Sequence, residues 1–144
     1  MQHINMNMVE PVLTFYENST DIRSLEWYDD NFCLHRDEDE PSQIFFYKTG
    51  EVESENWFKN GTFHRELGPA KIHYWPNGTA LVEFYFLNGL LTRMSSAAEI
   101  WYHHDGKIMD MKWFRNGIKY DPLHDDTPIF LEKVVLTNEE THRK

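Results

Sequence analysis

Asparagine-glycine pairs recur along this chain at Asn60-Gly61, Asn88-Gly89 and Asn116-Gly117, and the three positions lie 28 residues apart. A second series, Thr49-Gly50, Asn77-Gly78 and Asp105-Gly106, runs 11 residues ahead of the first. A fixed period of roughly 20–50 residues marks stacked supersecondary units. Asn-Gly and Asp-Gly supply the positive φ angles that a type I′ hairpin turn requires, so each unit reads as a β-hairpin with two turns. Aromatic columns keep the same period: Phe46, Tyr74 and Tyr102 before the first glycine series, Trp57, Tyr85 and Trp113 before the second. Ile44, Ile72 and Ile100 form a third column.

Four units follow, at 9–34, 35–62, 63–90 and 91–118. The first is degenerate: Pro11, Tyr16 and Trp27 align with Pro41, Phe46 and Trp57 through a two-residue insertion, and Thr20 and Asn31 stand where glycines are expected. The segments between turns are short, β-branched and aromatic, as strands are, and carry no helical period. The fold class is therefore mainly β: a single elongated antiparallel meander of about eight strands, roughly 35–40 Å across at ~4.8 Å per strand. Residues 1–8 read as a lead-in, 119–136 as a C-terminal cap and 137–144 as a polar tail. Within the cap, 129–136 is either a last strand or a short helix, and the spacing of Pro128 and Leu131 favours the strand.

Side chains alternate along a strand, which sorts the aromatics into two ladders. One collects Tyr16, Trp27, Phe46, Trp57, Tyr74, Tyr85, Tyr102 and Trp113; the other collects Phe15, Tyr28, Phe45, Phe58, Trp75, Phe86, Trp101 and Phe114. Either ladder serves as cross-strand packing or as an exposed binding face.

The 144 residues suit one domain, and 40 % hydrophobic and 15 % aromatic residues are too many for a disordered chain. A net charge of −10 argues against binding to nucleic acid or to a membrane surface. The charge is uneven: residues 1–55 hold 13 acids and three bases, whereas 56–120 hold five acids and eight bases. The run Asp37-Glu38-Asp39-Glu40 projects at a unit junction, as a solvated loop or as a docking point for a basic partner. A single cysteine, Cys33, reads as a small buried hydrophobe in a reducing compartment, and no secretory leader or apolar span is evident, so the expected location is cytoplasmic.

His64-Arg65-Glu66-Leu67-Gly68-Pro69-Ala70, followed by Asn77-Gly78 and Asn88-Gly89, resembles the His-Arg-x-x-Gly-Pro-Ala repeat of tailed-phage and large-virus proteins, which is similar in style to MORN repeats and to MORN-like antitoxin proteins of bacteria. His35-Arg36 and Thr92-Arg93 keep part of the motif, and Tyr120-Asp121 loses it. The resemblance implies a scaffold that displays interaction surfaces and carries no shared catalytic residues. Arg36, Arg65 and Arg93 fall at equivalent places, each able to stack on an aromatic or pair with an acid such as Glu66 or Glu83, locking unit to unit, or to form an anion-binding row.

No nucleophile-base set, phosphate loop or zinc spacing occurs in the sequence, and His103-His104 point to opposite sides of a strand. The expectation is a non-enzymatic interaction module with no cofactor or metal, a small phage-type accessory protein that binds and inhibits or sequesters a host protein. Its candidate contact residues are Trp57, Trp75, Trp101, Trp113 and Arg65, with Asp37, Glu38, Asp39 and Glu40 steering the encounter. It is expected to be a monomer or a small homo-oligomer. The alternatives are an acidic mimic of nucleic acid that blocks a DNA-binding protein, and a structural component that assembles by edge pairing.

Overall fold

The computed structural model describes residues 10–124; the lead-in 1–8, the polar tail 137–144 and the expected capping segment 129–136 lie outside them. Among the described residues there is no helix, and 13 strands run in chain order. They are β1 Val12–Phe15, β2 Ile22–Glu26, β3 Gln43–Phe46, β4 Val52–Asn56, β5 Phe58–Lys59, β6 Thr62–Phe63 and β7 Lys71–Tyr74. The rest are β8 Ala80–Phe84, β9 Phe86–Leu87, β10 Leu90–Leu91, β11 Glu99–Tyr102, β12 Ile108–Arg115 and β13 Ile118–Tyr120. Nine of them form one antiparallel sheet in the order β1-β2-β3-β4-β7-β8-β11-β12-β13, while β5-β6 and β9-β10 are separate two-stranded ribbons.

The long hairpins add side by side, as the period implies, but the Asn-Gly segments do more than connect them. Each closes its own small hairpin, and these stack on one another: the amide of Gly61 donates to the Leu34 carbonyl, that of Gly89 to Phe63 and that of Gly117 to Leu91. In the last unit β12 runs straight through into this second hairpin, and β13 therefore becomes the ninth strand of the sheet.

The two turn series differ in chemistry. Asn60, Asn88 and Asn116 all have φ near +50° and their glycines near +78° (49 to 51 and 76 to 80), the double positive of type I′. In the other series only the glycine is left-handed, and the Gly78 amide donates to the Trp75 carbonyl while the Trp75 amide donates to Thr79. That is a type I turn closed by a glycine bulge, so the type I′ expectation holds for one series and not the other.

Three loops in and after the first unit are each one residue longer than their later counterparts. The first turn of that unit closes Tyr16 onto Asp21 where Tyr47 closes onto Glu51. Its second closes His35 onto Trp27 where His64 closes onto Trp57, and its junction carries Arg36 to Pro41 where the next carries Arg65 to Pro69. Tyr16 thus corresponds to Tyr47 and not to Phe46, a correction to the two-residue alignment. Insertion in a loop leaves strand register intact, whereas insertion in a strand would turn every later side chain to the other face.

Cross-strand pairing puts Leu25, Ile44, Glu55, Ile72, Glu83 and Ile100 on one face and Ser24, Phe45, Ser54, His73, Val82 and Trp101 on the other. The buried core is thin: Ala70, Ala97 and Ala98 at the junctions, with Val82, Ile100 and Trp57.

Candidate functional site

Directly after β2, β4 and β8 come Trp27, Trp57 and Tyr85, and an arginine guanidinium lies over each ring. Arg36, Arg65 and Arg93 stand 3.9, 3.8 and 3.8 Å from the three centroids. The same guanidiniums donate to the carbonyls of Pro41, Pro69 and Ala97 at the far end of each junction loop, at 3.1, 3.2 and 3.4 Å. Each arginine therefore closes a loop onto an aromatic. Gly68 leaves room for this, because a Cβ there would lie 3.1 Å from the Arg65 guanidinium. The arginines lock unit to unit, one of the two roles the sequence left open for them.

The carboxylate that completes the second member is Asp39. It accepts from Nε and Nη2 of Arg65, both at 2.8 Å, while its own backbone carbonyl accepts the indole N–H of Trp57 at 2.9 Å. Hydrogen bonding from Arg65 holds the Asp39 carboxyl below its usual range against the opposing effect of desolvation. Sequence reasoning had offered Glu66 or Glu83 as the partner; Glu66 lies instead 3.6 Å from His64 Nε2. The signal that could have pointed to Asp39 is its place two residues before Pro41, inside the junction loop that lies against Trp57.

The acidic run is tied to its surroundings at three of its four residues, and all four stay exposed. Besides Asp39, Glu40 pairs with Arg36 at 3.4 Å and Asp37 with His35 at 3.2 Å. Glu38 and Asp39 both take positive φ, 62° and 56°. Together with His35, Trp57, His64 and Arg65, the first three acids of the run, Asp37, Glu38 and Asp39, border a cleft of about 270 Å³. His35 and His64 repeat one further contact: their Nδ1 atoms accept the amides of Asn60 and Asn88, both at 3.1 Å. Those imidazoles hold the tips of the next hairpins.

The other sequence-derived candidates scatter. Trp57 is 7 % exposed and lies inside the stack, not on a surface. Trp75 begins a turn, where its indole donates to the Tyr102 carbonyl, and so drops out of the second aromatic ladder. Trp101 is half-buried, donates to Glu99 and meets Phe84 edge-on at 6.4 Å. The contiguous row on that side runs Phe58, Phe63, Phe86, Phe84, Trp101, with centroid spacings of 4.1 to 6.4 Å, and includes Phe63 and Phe84, which alternation from the glycines had not selected. In the first ladder Tyr74 donates to Glu55, and Tyr85 and Tyr102 both donate to Glu83. Burial and these carboxylates push the Tyr74 and Tyr102 hydroxyls upward from their ordinary values. Cys33 is half-buried, with Sγ against Gly61, and not enclosed as expected.

Trp113 is the fourth member of the arginine column and differs from the rest. It is half-buried, Tyr120 pairs with it as Thr92 pairs with Tyr85, and Asp121 follows where an arginine follows in the other units. Among the described residues no cation lies over its ring. No three His, Cys, Asp or Glu side chains gather there as a metal set, again among the described residues.

No family model, no curated protein and no solved structure matches this chain.

Proposed function

We propose that this chain is a non-enzymatic protein-interaction scaffold built from MORN-like hairpin units, a small phage-type accessory protein that binds and sequesters or inhibits a protein partner. Three junctions share one contact set, an arginine on an aromatic closing a loop, which is the kind of nearest-neighbour packing a repeat scaffold uses. The observation that supports binding most directly is Trp113, the one aromatic of the column over which, among the described residues, no arginine lies. A half-buried indole suits an arginine side chain from outside, since a guanidinium is attracted to the ring face and most strongly to tryptophan. The acidic excess of residues 1–55 would steer such a basic partner towards the chain over a distance and not to the Trp113 ring itself.

Affinity capture with tagged protein from bacterial lysate, read by mass spectrometry, tests this with three baits: wild type, Trp113→Ala and, as a surface control, Lys48→Ala. The expected result is one protein retained by the wild type and the control and lost by Trp113→Ala, with unchanged circular dichroism. Retention of the same protein by all three baits, or enrichment of none, overturns the reading.

A further inference from the structure

Among the described residues the sheet ends in two strands with an unpaired side. At one end β1 is exposed along its length, with Val12, Leu13 and Phe15 at 53, 44 and 53 %. At the other, the first part of β12 has β11 on one side only, and β13 pairs with Trp113–Arg115 alone. Ile108, Met109 and Met111 are 54, 50 and 38 % exposed there.

These edges are complementary in direction. Antiparallel order from β1 through β12 along eight strands leaves the two edge strands running in opposite senses, as neighbours in this sheet do. They are complementary in register as well. Inside the sheet β8 meets β11 as Glu99↔Phe84, Ile100↔Glu83 and Trp101↔Val82. β12 stands 28 residues after β8, and Val12, Leu13 and Thr14 hold the places of Glu99, Ile100 and Trp101. The same joint therefore sets Lys112 opposite Val12, Met111 opposite Leu13 and Asp110 opposite Thr14. The Lys112 carbonyl accepts from Ala98 within the sheet, so the polar groups of its neighbour Met111 point outward, and the Met111 amide is held only by the Asp110 side chain, at 2.9 Å.

A second match comes from the small hairpins. Each seats its tip on a side chain of the previous one: Gly61 on Cys33, Gly89 on Thr62, Gly117 on Leu90. The next seat in this series is Ile118, 72 % exposed, and the first tip carries Phe32, 89 % exposed. Phe32 holds φ at +60°, a conformation unfavourable for a bulky residue, which places its ring in solvent at the end of the stack. Charge agrees: residues 10–40 carry ten acids and two bases, whereas 91–124 carry four acids and five bases.

We infer that the β12 edge of one copy pairs antiparallel with the β1 edge of a second, Met111 opposite Leu13, so that the chain extends its own sheet head to tail. Such a contact is heterologous and adds copies without closing on itself. It stands apart from the partner reading, because Trp113 is not among the residues it pairs.

Sedimentation velocity of the full chain over a hundredfold concentration range tests it. The wild type should grow in multiples of its 17.3 kDa mass. Proline removes the outward amide, so Leu13→Pro and Met111→Pro should each remain monomeric, yet a 1:1 mixture should form dimers and nothing larger, since each variant keeps one working edge. Leu13→Glu and Met111→Glu repeat the experiment without a backbone constraint and should weaken self-association at least tenfold. Three results would overturn the inference: a wild type that stays monomeric throughout, as it would if residues outside 10–124 cover either edge; single variants that still self-associate; or a mixture that does not dimerise.

Discussion

Replacing Arg65 with alanine removes three interactions from one junction, and their sizes can be set against a nearly matched control. The guanidinium stacks on Trp57 at 3.8 Å, donates to the Pro69 carbonyl at 3.2 Å and forms a two-point pair with Asp39 at 2.8 Å. Stacking is worth ~1 kcal/mol and the carbonyl bond ~1 kcal/mol. The ion pair adds ~0.5–1 kcal/mol after screening, because Asp39 is one-third exposed (33 %). The expected loss is about 2–3 kcal/mol. Arg93 stacks equally closely on Tyr85, at 3.8 Å, but its bond to Ala97 is longer, 3.4 Å, and among the described residues no carboxylate pairs with it. Arg93→Ala should therefore cost ~1–1.5 kcal/mol. Urea unfolding followed by tryptophan fluorescence gives both values, and a cycle with Asp39→Asn separates the pair. Coupling of ~0.5–1 kcal/mol is expected between positions 65 and 39, and none between 93 and 39. The account of the junction fails if Arg65→Ala costs no more than Arg93→Ala, or if positions 65 and 39 prove independent.

Three further outcomes are expected. Gly89→Ala should destabilise more than Gly117→Ala, because the new Cβ would lie 2.8 Å from Thr62 Cγ2 in the first case and 3.6 Å from Leu90 in the second, while both share the strain of positive φ; thermal melts of the two proteins compare them directly. Phe32→Gly should stabilise the dilute monomer by ~0.5–1 kcal/mol by relieving a left-handed phenylalanine, and a loss of stability in urea would show that the ring packs against something.

The third concerns pH. The carboxyl of Asp39 is lowered by the Arg65 hydrogen bonds; that of Glu99 is lowered by Lys112 and Trp101 in spite of a larger opposing effect of burial. A carboxyl lowered by folding contributes its full stability above its unfolded pKa, roughly 4, and loses it as the pH falls through the folded value. Urea midpoints should therefore drop below about pH 4, and less steeply in Asp39→Asn; an unchanged slope in that variant would contradict the assignment.

Much of this architecture is local and so was open to reading from the chain. Asn-Gly marks a tight hairpin turn with a left-handed glycine by backbone sterics, and the 28-residue spacing of those turns points to hairpins that follow one another along one antiparallel sheet. Ile44, Ile72 and Ile100 share a face because alternation demands it, and Arg36, Arg65 and Arg93 fall in line because they occupy one position of the period. Three-dimensional packing decided the rest. Whether a turn is type I′ or a type I turn with a bulge depends on how many residues separate the strands, which placed Tyr16 beside Tyr47 and moved Trp75 out of the aromatic row. Whether an acidic run projects depends on what lies across the junction, and Asp39 meets an arginine 26 residues away. Trp57 is buried whereas Trp27, Tyr85 and Trp113, at equivalent places, are half-buried, because how far a ring is covered depends on what is laid against it across the junction, which the side chain's own identity does not encode.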